Sequence, residues 1–296
     1  MARINIMAHR HSAFFSPLLM TIAGGYLKQQ GLDSSYKVAT HKHPIPESIH
    51  NGSCDVAQSM VATSFAAFEC GEVSRCLHFA QINQHDGFFL VSREIDNDFH
   101  WRDLEGKKIL VDPCFQAIAT LKFALYKQGV DVERVEFAII HDLNLIERMF
   151  RDGLGDFIQA QGPVAQRLAL GGDGYVVAAL AHAYEPISYS SLCASRQWLD
   201  TDVAKVFSHA YHESLQFVNA APAREIAVRL IRAGFFPETD MDALVSAVSA
   251  YQSIGCWNHT GSISRSSYNH LLEVYAYNGL ISHRYAYDAV VAVTAV

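Results

Sequence analysis

The stretch DLEGKKILVDPCFQAIATLKFALYKQGVD, residues 103–131, decides the fold. A polar turn at Gly106 leads into the apolar run Ile109–Val111, and the loop Asp112–Cys114 opens a helical pattern that Gly129 ends. A strand with no polar alternation is buried on both faces, which is the condition of a parallel sheet covered by helices. The same unit recurs on both sides. Upstream, RINIMA (3–8) is a strand, SPLLMTIAGGYLKQQGLD (16–33) a helix with Ser16 as N-cap and Pro17 in its first turn, and SSYKVATHK (34–42) a second strand. PIPESIHN (44–51) is a short helix, CDVAQS (54–59) a third strand and VATSFAAFECG (61–71) a helix. Downstream follow VEFAIIH (135–141), LNLIERMFRDG (143–153), GDFIQAQ (155–161), GPVAQRLALGG (162–172) and GYVVAALA (174–181), alternating strand and helix. Beyond SYSSLCASRQWLD (188–200) every periodic segment is helical, from 201 to 281.

CLHFAQINQHDGFFLVSRE (76–94) reads as a long strand or strand pair on which the chain crosses from one set of units to the next, with Gly87 absorbing the bend. The predicted architecture is α/β: two βα lobes joined by two crossover strands, followed by a helical C-terminal tail. Lobe I comprises residues 1–85 and 189–296, and lobe II residues 86–188. Ligands of open α/β sheets sit beyond the carboxyl ends of the strands. That points to the loops 8–16, 40–44, 58–63, 112–118 and 159–163.

The 296 residues carry 23 basic and 30 acidic side chains, a net charge of −7 without charge blocks, so nothing marks a nucleic-acid or anionic-membrane surface. Half the residues are hydrophobic and 18% are charged, which excludes a disordered chain. No run approaches the roughly 20 apolar residues of a membrane span. The opening MARINIMAHR lacks a signal-peptide h-region, so a cytoplasmic location is expected for the chain as written, and a periplasmic one for a trimmed mature form. Cys54, Cys70, Cys76, Cys114, Cys193 and Cys256 are scattered without CxxC spacing, as expected of reduced thiols.

SPLLMTIAGGYLKQQGLD, NGSCDVAQS, DLEGKKILVDP, GDFIQAQGPVA and VFSHAYHESLQFVNAAPAREIA, in this order, resemble the superfamily of nitrate, sulfonate and taurine solute-binding proteins and thiamine-pyrimidine synthases. The resemblance spans essentially the whole chain and implies the type II periplasmic-binding-protein fold. It implies a small polar or anionic organic ligand, sulfonate-, nitrate- or pyrimidine-like, held in the interlobe cleft. The partner would be an ABC transporter permease if the chain is exported, with no cofactor. Two enzymatic branches bear on the site. The synthases carry a histidine where this chain has Ala62, and a cysteine-rich run where it has only Cys193. The aromatic sulfinate desulfinases place a nucleophilic cysteine where Ser12 falls, with His41 or His43 matching their histidine.

The residues themselves leave several chemistries open. His9, His11, His41 and His43 form two HxH pairs at adjacent strand ends, the raw material of a metal site, although 15 histidines produce such pairs by composition alone. Against metal stands a pocket wall in which His11 and Ser12 donate hydrogen bonds and Phe15 stacks on the ligand. Gln58, Ser59 and His43 join that wall. From the second lobe, Gln116, Ala117, Gln159 and Gln161 are expected contacts at strand ends and a helix N-terminus. Trp257 is expected at the cleft rim. Cys114, activated by the helix dipole with His11 as base, would be a nucleophile; the competing reading is an inert packed thiol. Two functions therefore stand side by side: a binding protein closing on a solute, and a cytoplasmic enzyme on the same cleft, a desulfinase-like or other C–S or C–C lyase or a divergent pyrimidine synthase. Catalytic candidates for the second are His11, Ser12, His41, His43 and Cys114.

Overall fold

The computed structural model describes residues 2–95 and 98–292. Among the described residues ten strands form two five-stranded sheets. In the first sheet the order is β2 (Leu32–Val38), β1 (Ala2–Ala8), β3 (Val56–Ser59), β10 (Ser190–Ala194), β4 (Leu77–Asn83). In the second it is β7 (Glu136–Ile139), β6 (Lys108–Val111), β8 (Phe157–Gln161), β5 (Phe88–Ser92), β9 (Tyr175–Ala179). β1 runs parallel to β2 and β3, and β6 runs parallel to β7 and β8. The carboxyl ends of the strands in each parallel set thus lie along one edge of their sheet.

The returning strand β10 is antiparallel to both its neighbours and buried along its whole length. It fills the gap between β3 and β4, so the last tenth-strand contribution to the first sheet comes from a segment 107 residues after β4. This makes the first lobe discontinuous in sequence and ties its stability to the return of the chain.

Two local features depart from the sequence reading. The helix expected over 16–33 is broken: Ser16–Ala23 and Tyr26–Gln29 are separate helices with Gly25 between them at φ +76°. Only glycine adopts that conformation without steric cost, and a Cβ on Gly24 would sit 2.3 Å from the Tyr26 ring. Nor does Ser16 cap the first helix. A 3-10 turn, Ala13–Phe15, precedes it, and Ser12 caps that turn by accepting the Phe14 N–H at 3.2 Å.

Two short crossings, residues 84–87 and 180–189, join the sheets. They are laced together. Ile187 N–H donates to the Gln84 carbonyl at 2.9 Å, and Asp86 accepts the Phe88 N–H at 2.8 Å and the Tyr184 hydroxyl at 3.0 Å. Gly87 is required where it stands, because a Cβ there would meet the Phe14 ring at 2.3 Å. The tail helices then bind both lobes. Ser214 of Asp202–Ala220 donates to the Pro17 carbonyl, and Tyr275 of Arg265–Tyr277 reaches across to the Gln116 side chain at 3.0 Å. Tyr251 of Met241–Ser253 accepts the Gly162 N–H at 2.8 Å and donates to the Gly87 carbonyl. Among the described residues no helix is long and apolar enough to cross a membrane.

Asp86 is fully buried, and burial raises its pKa to about 6 against the pull of hydrogen bonds from Thr120, Phe88 and Tyr184. A carboxyl whose folded pKa lies above its unfolded one binds its proton more tightly when folded. Its contribution to stability is therefore present below the unfolded value, near 4, and is lost as pH rises through about 6. Asp86→Asn should flatten the pH dependence of chemical denaturation between pH 4 and 7, removing a fall on the order of 3 kcal/mol. Parallel profiles for the variant and the parent would contradict this placement of the proton.

Candidate functional site

A cavity of about 820 Å³ lies between the sheets. One wall comes from the ends of β1, β2 and β3: His9, Arg10, Thr40, His41, Ser59 and Met60, with Pro44, Ile45 and Pro46 beyond them. The other wall is the loop after β6, Pro113, Cys114 and Phe115. The position follows from strand direction, since every contributing loop leaves the carboxyl end of a parallel strand. Pro and aliphatic side chains give an apolar lining broken by a few polar groups, the usual composition of a small-molecule site.

Beside the cavity the two lobes hold each other. The Arg10 guanidinium makes a fork to the Asp112 carboxylate, Nη1 to Oδ2 at 2.6 Å and Nη2 to Oδ1 at 3.1 Å. Asp112 is 2% exposed, and its Oδ1 also accepts the Cys114 N–H at 2.8 Å, which fixes the loop that carries Cys114. Burial opposes the charge on Arg10, but the hydrogen bond and the charge of Asp112 outweigh it and hold the guanidinium protonated. Desolvation, followed by the neighbouring Arg10 charge, lowers the His9 pKa, so this ring meets a solute as neutral imidazole at pH 7. A second interlobe bond runs from the Ser12 hydroxyl to Gln161 Oε1 at 3.1 Å.

The sequence candidates divide into three sets. His9, His41, Ser59 and Cys114 line the cavity. Ser59 exchanges a hydrogen bond with Thr63 at 3.2 Å, and the Cys114 thiol contacts Met60 Sδ at 3.8 Å. Burial pushes that thiol up, so it is protonated at neutral pH and has the Met60 thioether, not an imidazole, as its side-chain partner. A second set positions the walls from behind. Gln58 is buried and takes the His9 N–H on its Oε1 at 3.0 Å, and Ser12 and Gln161 form the interlobe bond already described.

The third set faces elsewhere. His11 does not point into the cavity: its ring stacks on Phe235 and tilts against Phe236, Nε2 bonds the Phe235 carbonyl and Nδ1 lies 3.3 Å from the Tyr36 hydroxyl. A carbonyl only accepts, so Nε2 carries the hydrogen and Nδ1 takes that of Tyr36. His43 closes an exposed turn with Thr40 through two backbone bonds. Phe15 and Ala117 are core residues, 4% and 0% exposed. Gln116 is buried between the Tyr189 carbonyl and the Tyr275 hydroxyl, and Gln159 donates to the Ala117 carbonyl. Trp257 does not reach the rim; it is buried and its indole N–H donates to the Phe14 carbonyl at 2.9 Å. The two HxH pairs are split, His9 and His41 on the cavity wall and His11 and His43 away from it. Among the described residues no group of three or more His, Cys, Asp or Glu side chains is arranged to hold a metal.

Arg10, Thr40, Met60, Asp112 and Phe115 are among the lining or bridging residues that sequence reasoning passed over. The signal was available for one pair: Arg10 and Asp112 carry opposite charge on the loops that follow the first parallel strand of each lobe.

A family model described as NMT1/THI5 like matches residues 12–225. A Bacillus subtilis (strain 168) protein named "Putative binding protein YtlA" is 25% identical over 259 residues, 85% of this chain and 76% of that one. Among solved structures, the alkanesulfonate-binding protein SsuA from Xanthomonas axonopodis pv. citri, bound to MOPS, superposes with a TM-score of 0.74 at 13% identity, covering 99% of each chain. The periplasmic nitrate-binding protein NrtA from Synechocystis PCC 6803 gives 0.67 at 11% identity, covering 97% of this chain and 83% of that one. At such identities the likeness is one of fold, the two-lobed type II architecture of periplasmic binding proteins.

The interlobe pair makes a direct prediction. Arg10→Ala leaves a carboxylate that is 2% exposed without its counterion, and should cost about 3 kcal/mol in chemical denaturation. Adding Asp112→Asn should restore part of that loss, giving a coupling of at least about 1 kcal/mol in the double-mutant cycle. Strict additivity would show that the two groups do not interact in solution.

Proposed function

The chain belongs to the NMT1/THI5-like family, and we propose that it is a solute-binding protein whose two lobes close on a small polar or anionic organic molecule. The observation that carries this reading is the cavity itself, bounded by strand-end loops of both sheets, with Arg10 of its lining paired to Asp112 of the opposite lobe. Lobe I brings a neutral imidazole at His9, the Ser59 hydroxyl, Thr40 and His41; lobe II brings Cys114 and Phe115. A polar head would bond to Ser59, Thr40, His41 and the guanidinium hydrogens that Asp112 leaves unused. An organic body would lie against Met60, Phe115 and the Pro44–Pro46 segment. The volume of about 820 Å³ favours a solute with such a body over nitrate alone, which would leave most of the lining without contacts. As a binding component the protein would hand its solute to an ABC-type permease, in the periplasm if the chain is exported.

The enzymatic alternative receives less support from the same geometry. Ser12 bonds to Gln161 and the Phe14 N–H, and Cys114 contacts Met60. Neither prospective nucleophile is hydrogen-bonded to a base among the described residues, which is the arrangement nucleophilic catalysis needs.

Thermal denaturation with alkyl and aryl sulfonates, nitrate and pyrimidines should find a class that stabilises the protein, by about 2.7 kcal/mol at 100 times its dissociation constant. Ser59→Ala and His41→Ala should each weaken that solute by roughly tenfold, the magnitude of one lost hydrogen bond, while His43→Ala should leave it unchanged. Conversion of the solute to product, or affinity indifferent to Ser59 and His41, would overturn the reading.

A further inference from the structure

Three of the six cysteines, far apart in sequence, meet in one place. Cys54, Cys76 and Cys193 form a buried cluster of their own with Met7, Ile45, Ile49 and Ala57, on the first sheet. Cys193 of β10 pairs directly with His78 of β4, two residues beyond Cys76. Cys76, one residue before β4, and Cys193 therefore lie diagonally across adjacent antiparallel segments, within the same buried cluster. All six cysteines are free thiols. Cys76 also lines a surface cavity of about 260 Å³, distinct from the solute cleft, together with the exposed Cys70, Arg75 and Glu47.

We propose that Cys76 and Cys193 are a redox-active dithiol, oxidised to an intramolecular disulfide by a small disulfide that enters through this cavity. The Cys76 thiolate attacks one sulfur of the incoming disulfide, forming a mixed disulfide and expelling the first small thiol, which takes up the proton. Cys193 then attacks Cys76 Sγ, and the second small thiol leaves with the proton of Cys193. The two cysteines lose two electrons and two protons, and the entering disulfide gains them as two thiols.

The order of attack follows from the surroundings. The hydrogen bond from Cys193 holds the Cys76 thiol below its usual range despite burial, while the same bond and burial push Cys193 up. Cys193 is 0% exposed and absent from the cavity lining, which Cys76 joins. Cys54, pushed up by burial to about 12, stands aside. The cavity shares Pro46, Thr63 and Ala66 with the solute cleft.

Incubation of the native chain with hydroxyethyl disulfide, then alkylation and peptide mass mapping under non-reducing conditions, tests this. The expected product has lost two hydrogens, yields one linked peptide pair containing Cys76 and Cys193, and reverts with dithiothreitol. Cys193→Ala should instead retain a hydroxyethylthio adduct on Cys76, and Cys70→Ser should behave as the parent. If Cys193→Ala does not fold, the map of the parent chain decides alone. Adducts confined to Cys70, or a link between any other pair, would overturn the proposal.

Discussion

The Arg10–Asp112 ion pair is the constraint on which the arrangement of the two lobes depends. It joins the loop after β1 to the loop after β6, the equivalent point of each lobe, over the cavity that both loops line. Asp112 Oδ1 accepts both Arg10 Nη2 and the Cys114 N–H, so the same carboxylate sets the backbone of the opposing wall. The energetics suit a closure contact. Desolvation of two charges offsets much of their attraction, so a single partly buried pair adds little net stability while removal of one partner is costly. A contact of this kind fixes geometry without locking it.

The remaining contacts between lobes are of two kinds, and they differ in what they permit. The crossings at 84–87 and 180–189 are bound to each other through Gln84, Asp86 and Tyr184. The tail helices reach over from behind, with Tyr251 on Gly162 and Tyr275 on Gln116. Gln116 and Gly162 stand at the carboxyl ends of β6 and β8, where a ligand contact is expected on topology alone. Their polar groups are instead taken by the tail and, for the Gln116 amide hydrogens, by the Tyr189 carbonyl of the returning crossing. The cavity accordingly lies on the side of the cleft that the β1, β2, β3 and β6 loops enclose.

How much of this was legible in the sequence depended on the range of the interaction. Strands and helices with a clear period, from Ala2–Ala8 to Arg265–Tyr277, follow from local pattern, as do the loops that meet at the cleft. The orientation of individual side chains does not. Three consecutive residues, His9, Arg10 and His11, leave the end of β1; the first two line the cavity and the third turns onto Phe235 and Phe236, partners more than 220 residues away in sequence. Trp257 and Gln116 were legible as amphipathic groups near the cleft, yet long-range acceptors, the Phe14 and Tyr189 carbonyls, claim their hydrogens. The helix break at Gly25 was written in the Gly24–Gly25 pair and overridden by the apolar period around it.

The central claim is that one solute contacts both lobes at once in this cleft. Hydrogen–deuterium exchange, with and without whichever sulfonate, nitrate or pyrimidine binds, measures it most directly. Binding here should slow exchange together in residues 9–12, 39–46, 59–63 and 112–116, segments drawn from both sheets. Protection confined to one lobe, or centred on another surface, would contradict the account.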